Sequence, residues 1–528
     1  MPPAASQIKI LIVGAGIAGL TLAILLERAN IAYEILERHQ THTPLGSAIC
    51  LIPSVQPLLQ QLGLLDEIKR RSKPFGAMVF REENLEIIGT FSSKTPLDIQ
   101  ERYGDYAQII SRKDLCAILA DHVPQHKIKF GKRVLEIRQN TGEVIVQCSD
   151  KSVYHADILV GADGAYSAVR QCLHNSLDAR GLLPKHDTAP MGYQYDCLVG
   201  VTDPMDPHVT PALSDTFSEF QTILSKDLSI AYWCIPLPEN RMSWMVVKYH
   251  DKGKKHAEET IFKQSDWGED AAELMGRQYR DLRTSYGYDL GYMMDRTPKE
   301  ATTKVMLEEK FYMTWYNGRV VLAGDGKLEV VNSKRSFNVI ASPLTRYPIV
   351  HFDNQACHKV VPFGGQGANQ SIHDVLTLAN LLVDLKDNTL EDIGSMFETY
   401  YKERAPVGRA IVQVSSRAGD LMNRKPAKDP TCLRFLHLST IKLAVTFTVA
   451  TAITAVKAIA LVATGLALSM AILMLYGVIY IRLDGRRMEV FCRSLGFGCQ
   501  LWLDIIFPGI MLGVTRTTTM NGFLRGSD

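Results

Sequence analysis

The stretch that most constrains the fold is at the start of the chain. An apolar run, Ile8–Val13, interrupted only by Lys9, leads straight into Gly14-Ala15-Gly16-Ile17-Ala18-Gly19. Leu20–Arg28 continues from it at helical length. A G-x-G-x-x-G loop between a buried parallel strand and a helix leaves few alternatives. Gly14 permits the tight turn, Gly16 lets the backbone approach a pyrophosphate, and Gly19 lets the helix pack on the strand. A second β-rich run, Ala32–Glu37, ends in an acid 23 residues beyond Gly14. A carboxylate at that place accepts hydrogen bonds from ribose hydroxyls and disfavours a 2′-phosphate. The spacing predicts a Rossmann-like βαβ unit that holds FAD or NAD rather than NADP.

The rest of the composition sets limits. At 528 residues the chain has room for two or three domains. A net charge of +2 speaks against a nucleic-acid partner. Ten cysteines without a C-x-x-C pair signal neither a zinc site nor a disulfide framework, so no metal is expected. The first apolar run is too short, and too closely followed by the glycine loop, to be a secretory signal. Near residue 441 the composition shifts: Ala458–Ile481 is 24 residues without a charge, followed by Arg482, Arg486 and Arg487. That length spans a bilayer. A single pass would leave the three arginines on the lumenal side of a cytosol-facing enzyme, against the positive-inside rule, whereas a hairpin would return them.

Four further segments carry candidate site residues. Ile109-Ile-Ser-Arg112-Lys-Asp-Leu115 puts an arginine at a helix start, where a guanidinium can bind phosphate or polarise a carbonyl. Asp157-Ile-Leu-Val-Gly-Ala-Asp163-Gly164 reads as a strand and a turn suited to positive φ, with Arg170 placed to meet a phosphate. Arg319-Val-Val-Leu-Ala-Gly324-Asp325 is separated by thirty residues, 326–355, from Ala356-Cys-His358-Lys-Val-Val-Pro-Phe-Gly-Gly-Gln-Gly367-Ala368-Asn369. Pro44-Leu-Gly46-Ser-Ala-Ile-Cys50-Leu-Ile-Pro-Ser54 lies between Glu37 and Arg112.

In order and spacing, from residue 8 to about 380, these segments resemble the group A FAD-dependent monooxygenases, the aromatic-hydroxylase-like flavoproteins. The apolar tail and Glu308-Glu-Lys-Phe-x-x-x-Trp315 are most similar to fungal indole-diterpene and meroterpenoid epoxidases of the paxilline type. The resemblance implies that Arg112 approaches the flavin side of FAD and that Asp163 serves both FAD and the nicotinamide co-substrate. It implies that Asp325 accepts from the ribityl chain, and that Gly367 and Ala368 open a helix whose N–H groups face the flavin. Gly46 and Cys50 become near-flavin backbone positions, although Cys50 replaces the family's glycine and Ser54 its asparagine. His358 takes a packing or capping role.

Joining Asp325 to Ala356 restores the family pattern in frame. The thirty intervening residues are either a real loop or a translated intron. Codons for Gly326-Lys327-Leu328 can contain a splice donor, and those for Gln355-Ala356 an acceptor.

From about 186 to 310 the chain carries aromatic, alternating segments, among them Tyr193–Val201, Ile230–Pro236 and Met242–Tyr249. They predict an antiparallel sheet over the flavin, with Tyr195 a candidate catalytic residue that orients substrate. The expected class is α/β: a Rossmann-like FAD-binding domain with an interleaved antiparallel-sheet substrate domain and a C-terminal helical membrane segment. The expected divisions are 1–185 and 311–430 for FAD, 186–310 for substrate and 441–528 for membrane association, with 326–355 the insert. The expected function is an NADPH-consuming, FAD-dependent monooxygenase using O2 on a lipophilic small molecule at a membrane, the endoplasmic reticulum, with its catalytic domain facing the cytosol. Epoxidation of a prenyl or terpenoid alkene is the first expectation and ring hydroxylation the second. A flavin oxidase or dehydrogenase, and a non-catalytic prenyl carrier, are the rival readings.

Overall fold

The computed structural model describes residues 8–41, 47–92, 104–164, 167–188, 193–227, 229–250, 269–308, 310–324, 358–359 and 365–422. All belong to the first of two compact units, Met1–Thr446. Gly46, Asp325, the insert 326–355 and the region 441–528 lie outside the described residues.

The glycine loop sits where its sequence places it. Strand Lys9–Val13 is central in a six-stranded sheet, with Ala32–Leu36 and Ile158–Gly161 parallel to it on either side. Val320–Leu322 extends the sheet beyond Ile158–Gly161, again parallel. Ile10, Leu11 and Ile12 are fully buried, as a strand covered on both faces requires. Helix Ile17–Arg28 packs its apolar side onto this sheet and against helix Gly367–Val383. A three-stranded antiparallel sheet, Val134–Gln139, Val144–Cys148 and Val153–Ala156, joins the same core.

The second large sheet begins at Thr303–Glu308 and continues through Tyr193–Val201, Met242–Tyr249, Ile230–Pro236 and Ser218–Leu224 to Lys73–Glu82. It ends with Gln108–Ser111 and Ala48–Leu51. The sheet therefore extends beyond 186–310: Lys73–Glu82 pairs in parallel with Ser218–Leu224 across a long sequence separation. That pairing carries Ala48–Leu51, the strand expected near a flavin, into the same sheet as the strands expected to hold substrate.

Strand alternation gives this sheet two faces. On one, Met242, Trp244 and Val246 pack beneath helices Glu269–Tyr279 and Leu290–Met294. The other carries Ser243, Met245, Val247 and Tyr249, aligned in register with Val201, Val199, Cys197 and Tyr195. Among the described residues no helix is long and apolar enough to cross a membrane, and the expected span 458–481 is not among them.

Candidate functional site

Two of the three glycines of the first loop are required by close contacts. Gly14 has φ +106°, and a Cβ there would lie 2.5 Å from the Ala162 carbonyl oxygen. A Cβ on Gly19 would lie 1.9 Å from the Gly14 carbonyl oxygen. A Cβ on Gly16 would meet nothing within 4 Å. Gly14 and Gly19 are thus fixed by packing, while Gly16 faces open space where the loop turns into the helix. Exposed N–H groups and the helix dipole make that space suitable for a pyrophosphate.

Glu37 closes this loop from the next strand. Its Oε2 accepts the Ala15 N–H at 2.8 Å, and its Oε1 accepts the His39 N–H at 2.9 Å. The His39 ring nitrogen Nδ1 lies 2.7 Å from the same Oε1. Burial pushes the carboxyl up, but the hydrogen bonds from His39 and Ala15 outweigh it and hold the group at about 2. Oε2, with a single donor, keeps acceptor capacity for a ribose hydroxyl.

The Asp163-Gly164 turn abuts the glycine loop: a Cβ on Gly14 would lie 2.7 Å from the Asp163 Cα. Gly164 has φ +75°, as the turn requires. Asp163 Oδ2 accepts the Val169 N–H at 3.2 Å, while its Oδ1 is buried with no hydrogen-bond partner among the described residues. Burial pushes this carboxyl above the usual range, against the opposing pull of Ser167, Val169 and Arg170. A buried acceptor at this point fits a cofactor hydroxyl. Arg170 departs from the sequence expectation. It is fully buried, with its guanidinium 4.7 Å from the centre of the Tyr312 ring, and so is not placed to meet a phosphate.

Arg112 begins helix Arg112–Asp121, capped by the Ser111 hydroxyl, which accepts the Asp114 N–H at 3.0 Å. The Arg112 N–H donates to the Ser47 carbonyl at 3.1 Å, so this helix start is tied to the residue after Gly46. Cys50 lies on the strand paired with Gln108–Ser111, opposite Ile109. Burial pushes its thiol up to about 12, leaving a neutral, unreactive side chain.

Helix Gly367–Val383 starts at Gly367 and Ala368, as expected, with Ala368 buried. Its position is set by Asn369, a residue the sequence reading quotes within its motif but gives no role. The Asn369 amide donates to the Cys50 carbonyl at 2.8 Å and to the Gly365 carbonyl at 3.0 Å. Its Oδ1 accepts the Ile52 N–H at 3.1 Å. Gly324, with φ +87°, fits between helices Ile17–Arg28 and Gly367–Val383, since a Cβ there would lie 2.8 Å from Ala18 and 3.5 Å from the Ser371 hydroxyl. His358 pairs with Phe311 in a short antiparallel bridge.

The structure thus brings the glycine loop, Glu37, Asp163, Cys50 and Ala368 into one contiguous cradle, with Arg112 tied to it through Ser47. Open space beside Gly16, a ribose-ready carboxylate, a buried acceptor and a helix N-terminus fit FAD. Tyr195 stands apart, on the sheet face whose Ser243 hydroxyl meets the Ser47 hydroxyl at 2.7 Å and accepts the Ala48 N–H at 3.3 Å. Tyr195 is buried and packs edge-on against Tyr249, with ring centres 5.2 Å apart. Tyr249 is six residues along its strand from Ser243, about 20 Å at the usual strand rise. Trp233, half-buried on the same face, packs against the Phe75–Ile109–Ile235 cluster that Cys50 also adjoins, and lies only two residues along its strand from the partner of Ser243.

Comparisons with known proteins agree with this geometry. The FAD binding domain family model (FAD_binding_3) matches residues 7–192 and 355–415, resuming at the downstream edge of the thirty-residue insert. The chain is 26% identical over 424 residues to the FAD-dependent monooxygenase esdpE of Penicillium shearii, covering 78% of this chain and 77% of that one. It is 28% identical over 385 residues to the FAD-dependent monooxygenase paxM of Penicillium paxilli, covering 71% and 70%. Among solved structures, Klebsiella pneumoniae HpxO complexed with FAD and uric acid has the same fold, with a TM-score of 0.59 at 20% identity over 82% of this chain and 93% of that one.

Proposed function

For this chain, which belongs to the FAD-dependent monooxygenases, we propose a reaction that inserts one oxygen atom from O2 into a lipophilic, prenylated substrate, epoxidising an alkene at NADPH's expense. Fungal relatives named as FAD-dependent monooxygenases support the setting, a secondary-metabolite pathway. The observation that carries the substrate class is the sheet face continuous with the cofactor strand. From Ser243 outward that face presents Val199, Cys197, Ala231, Trp233, Met245, Val247, Tyr195 and Tyr249, and the described residues of these three strands place no charged side chain on it. Asp196, the neighbour of Tyr195, falls on the opposite face by alternation.

Bound FAD, once reduced by NADPH, supplies the oxygen activation. The chain's own residues bind and orient. The glycine loop and Glu37 hold the adenosine half, and the Gly367–Ala368 helix start lends positive potential to the other end. The apolar sheet face excludes water and orients a hydrocarbon substrate through aromatic contact at Trp233, with the Tyr195–Tyr249 pair as the candidate far wall.

The apolar region 441–528 supports a membrane-bound enzyme at the endoplasmic reticulum, facing the cytosol, where such substrates partition. We further take the functional chain to be the one that joins Asp325 to Ala356.

The test is expression with candidate prenylated precursors and NADPH. A product one oxygen atom heavier that opens to a diol in acid supports epoxidation, and a phenol supports ring hydroxylation. NADPH consumption yielding only hydrogen peroxide would make the protein an oxidase, and purified protein lacking flavin absorbance would make it a carrier.

A further inference from the structure

The two halves of the split flavin motif, Gly324 upstream and Gln366-Gly367-Ala368 downstream, converge on a side chain that belongs to neither. Arg404 comes from the long helix Leu390–Met422 and is buried. Its Nε donates to Asp374 Oδ1 at 2.7 Å, and its Nη2 donates to Gln370 Oε1 at 2.8 Å. Each branch then continues. Asp374 Oδ2 accepts the Gly324 N–H at 3.3 Å. Gln370 Nε2 donates to Gln366 Oε1 at 3.3 Å, and Gln366 is the residue at the N-cap position of the Gly367–Val383 helix.

Asp374 is fully buried, Gln370 nearly so, and both lie on the helix that opens with Gly367 and Ala368. A planar guanidinium with a fixed fork can hold two acceptors at once in a way an ammonium cannot. A buried charge pair of this kind gives weak net stability but strong geometric specification, because every member must be satisfied in one arrangement.

We propose that Arg404 is a positioning residue for FAD. Through Asp374 it sets the backbone at Gly324, and through Gln370 it sets the cap of the flavin-side helix, so that the two halves of the motif keep a fixed spacing around the cofactor. Arg404 touches no cofactor atom in this role. It acts through a backbone N–H on one side and a helix cap on the other. The proposal concerns cofactor geometry alone and holds for any substrate.

The test uses the full chain with Arg404→Lys and Gln370→Met. Lysine keeps the charge opposite Asp374 but loses the second branch, and methionine keeps the volume of Gln370 while breaking the link to Gln366. Apoprotein is titrated with FAD by flavin fluorescence, and the bound flavin's visible spectrum and midpoint potential are recorded. Both variants are expected to bind FAD about tenfold more weakly, with a shifted spectrum and potential, while far-UV circular dichroism stays native. A purely structural role would lower the melting temperature and leave FAD affinity, spectrum and potential unchanged in the folded protein. That result overturns the proposal. If Arg404→Lys fails to fold, Gln370→Met alone decides, because it leaves the Asp374–Arg404 pair intact.

Discussion

Asn369 and Cys50 are joined across 319 residues by a 2.8 Å hydrogen bond from the Asn369 amide to the Cys50 carbonyl. With the bond from the Ile52 N–H to Asn369 Oδ1 at 3.1 Å, one side chain holds the end of strand Ala48–Leu51 against the start of helix Gly367–Val383. Asn369 is fully buried, so removing it takes away the partner of three backbone groups, the Cys50 and Gly365 carbonyls and the Ile52 N–H. Asn369→Leu is expected to lower stability by about 2–3 kcal/mol. Urea unfolding of the apoprotein measures this, and a loss below about 0.5 kcal/mol would refute it.

The three loop glycines separate folding from cofactor binding. Gly16 has φ −86° and ψ −171°, an extended conformation any residue adopts, with open space beside it. Gly16→Val is therefore expected to fold with an apoprotein melting temperature near that of the parent and to lose FAD binding. Gly19→Ala drives a methyl into the Gly14 carbonyl and is expected to cost about 1–3 kcal/mol in the apoprotein. Melting curves with and without FAD distinguish the two.

Glu37 links the cofactor site to acid stability. Its carboxyl is held at about 2 in the folded protein, against 4.5 for the unperturbed group. Its stabilisation is complete above about pH 4.5 and is lost as pH falls toward 2. It amounts to ~3 kcal/mol at neutral pH by proton linkage. Glu37→Gln is expected to remove that acid dependence and to weaken FAD binding about tenfold or more, since a charged acceptor becomes a neutral one. Unchanged FAD affinity in Glu37→Gln would exclude the ribose role.

His373 acts in a higher pH range. Burial, and then the charge of Arg404, hold its imidazole at about 4 against an ordinary 6.5, with Asp374 opposing. The unfolded chain therefore takes up a proton that the folded chain refuses. Stability present above pH 6.5 is lost as pH falls toward 4. His373→Gln is expected to shrink the stability difference between pH 7.5 and pH 5 by ~2 kcal/mol. His174, also held at about 4 by burial and by Arg170, contributes a second step of the same sign. Urea midpoints at the two pH values test both.

The insert gives a genetic prediction. Transcripts from the source organism are expected to join the codons of Asp325 and Ala356. The shortened protein is expected to retain FAD through gel filtration better than the 528-residue chain. A full-length transcript giving an active flavoprotein would establish the thirty residues as a genuine loop.

The cofactor site was legible in the sequence wherever a local conformation demands a particular residue. Gly14 and Gly164 need positive φ, Gly19 needs contact with a carbonyl, and the acid at Glu37 must end the second strand. These demands act over a few residues and leave a spaced pattern. Asp374 and Arg404 left a fainter signal: a carboxylate among the buried positions Ile372, Val375 and Leu378 of an apolar helix implies a partner, but nothing in the sequence names it. Arg170 was misread because a guanidinium near a glycine turn looks the same in sequence whether it faces a phosphate or is buried over Tyr312.

The sequence alone thus determined the dinucleotide unit, which depends on short-range backbone geometry, and its resemblance to the FAD-dependent monooxygenases pointed to flavin chemistry and to the interruption of the motif. Only the tertiary structure decided which face of the large sheet adjoins the cofactor strand and which residues join the two halves of the split motif. Strand partners such as Lys73–Glu82 with Ser218–Leu224, and buried pairs such as Asp374 with Arg404, are chosen by packing between segments far apart in the chain. The local sequence of either segment carries no record of that choice.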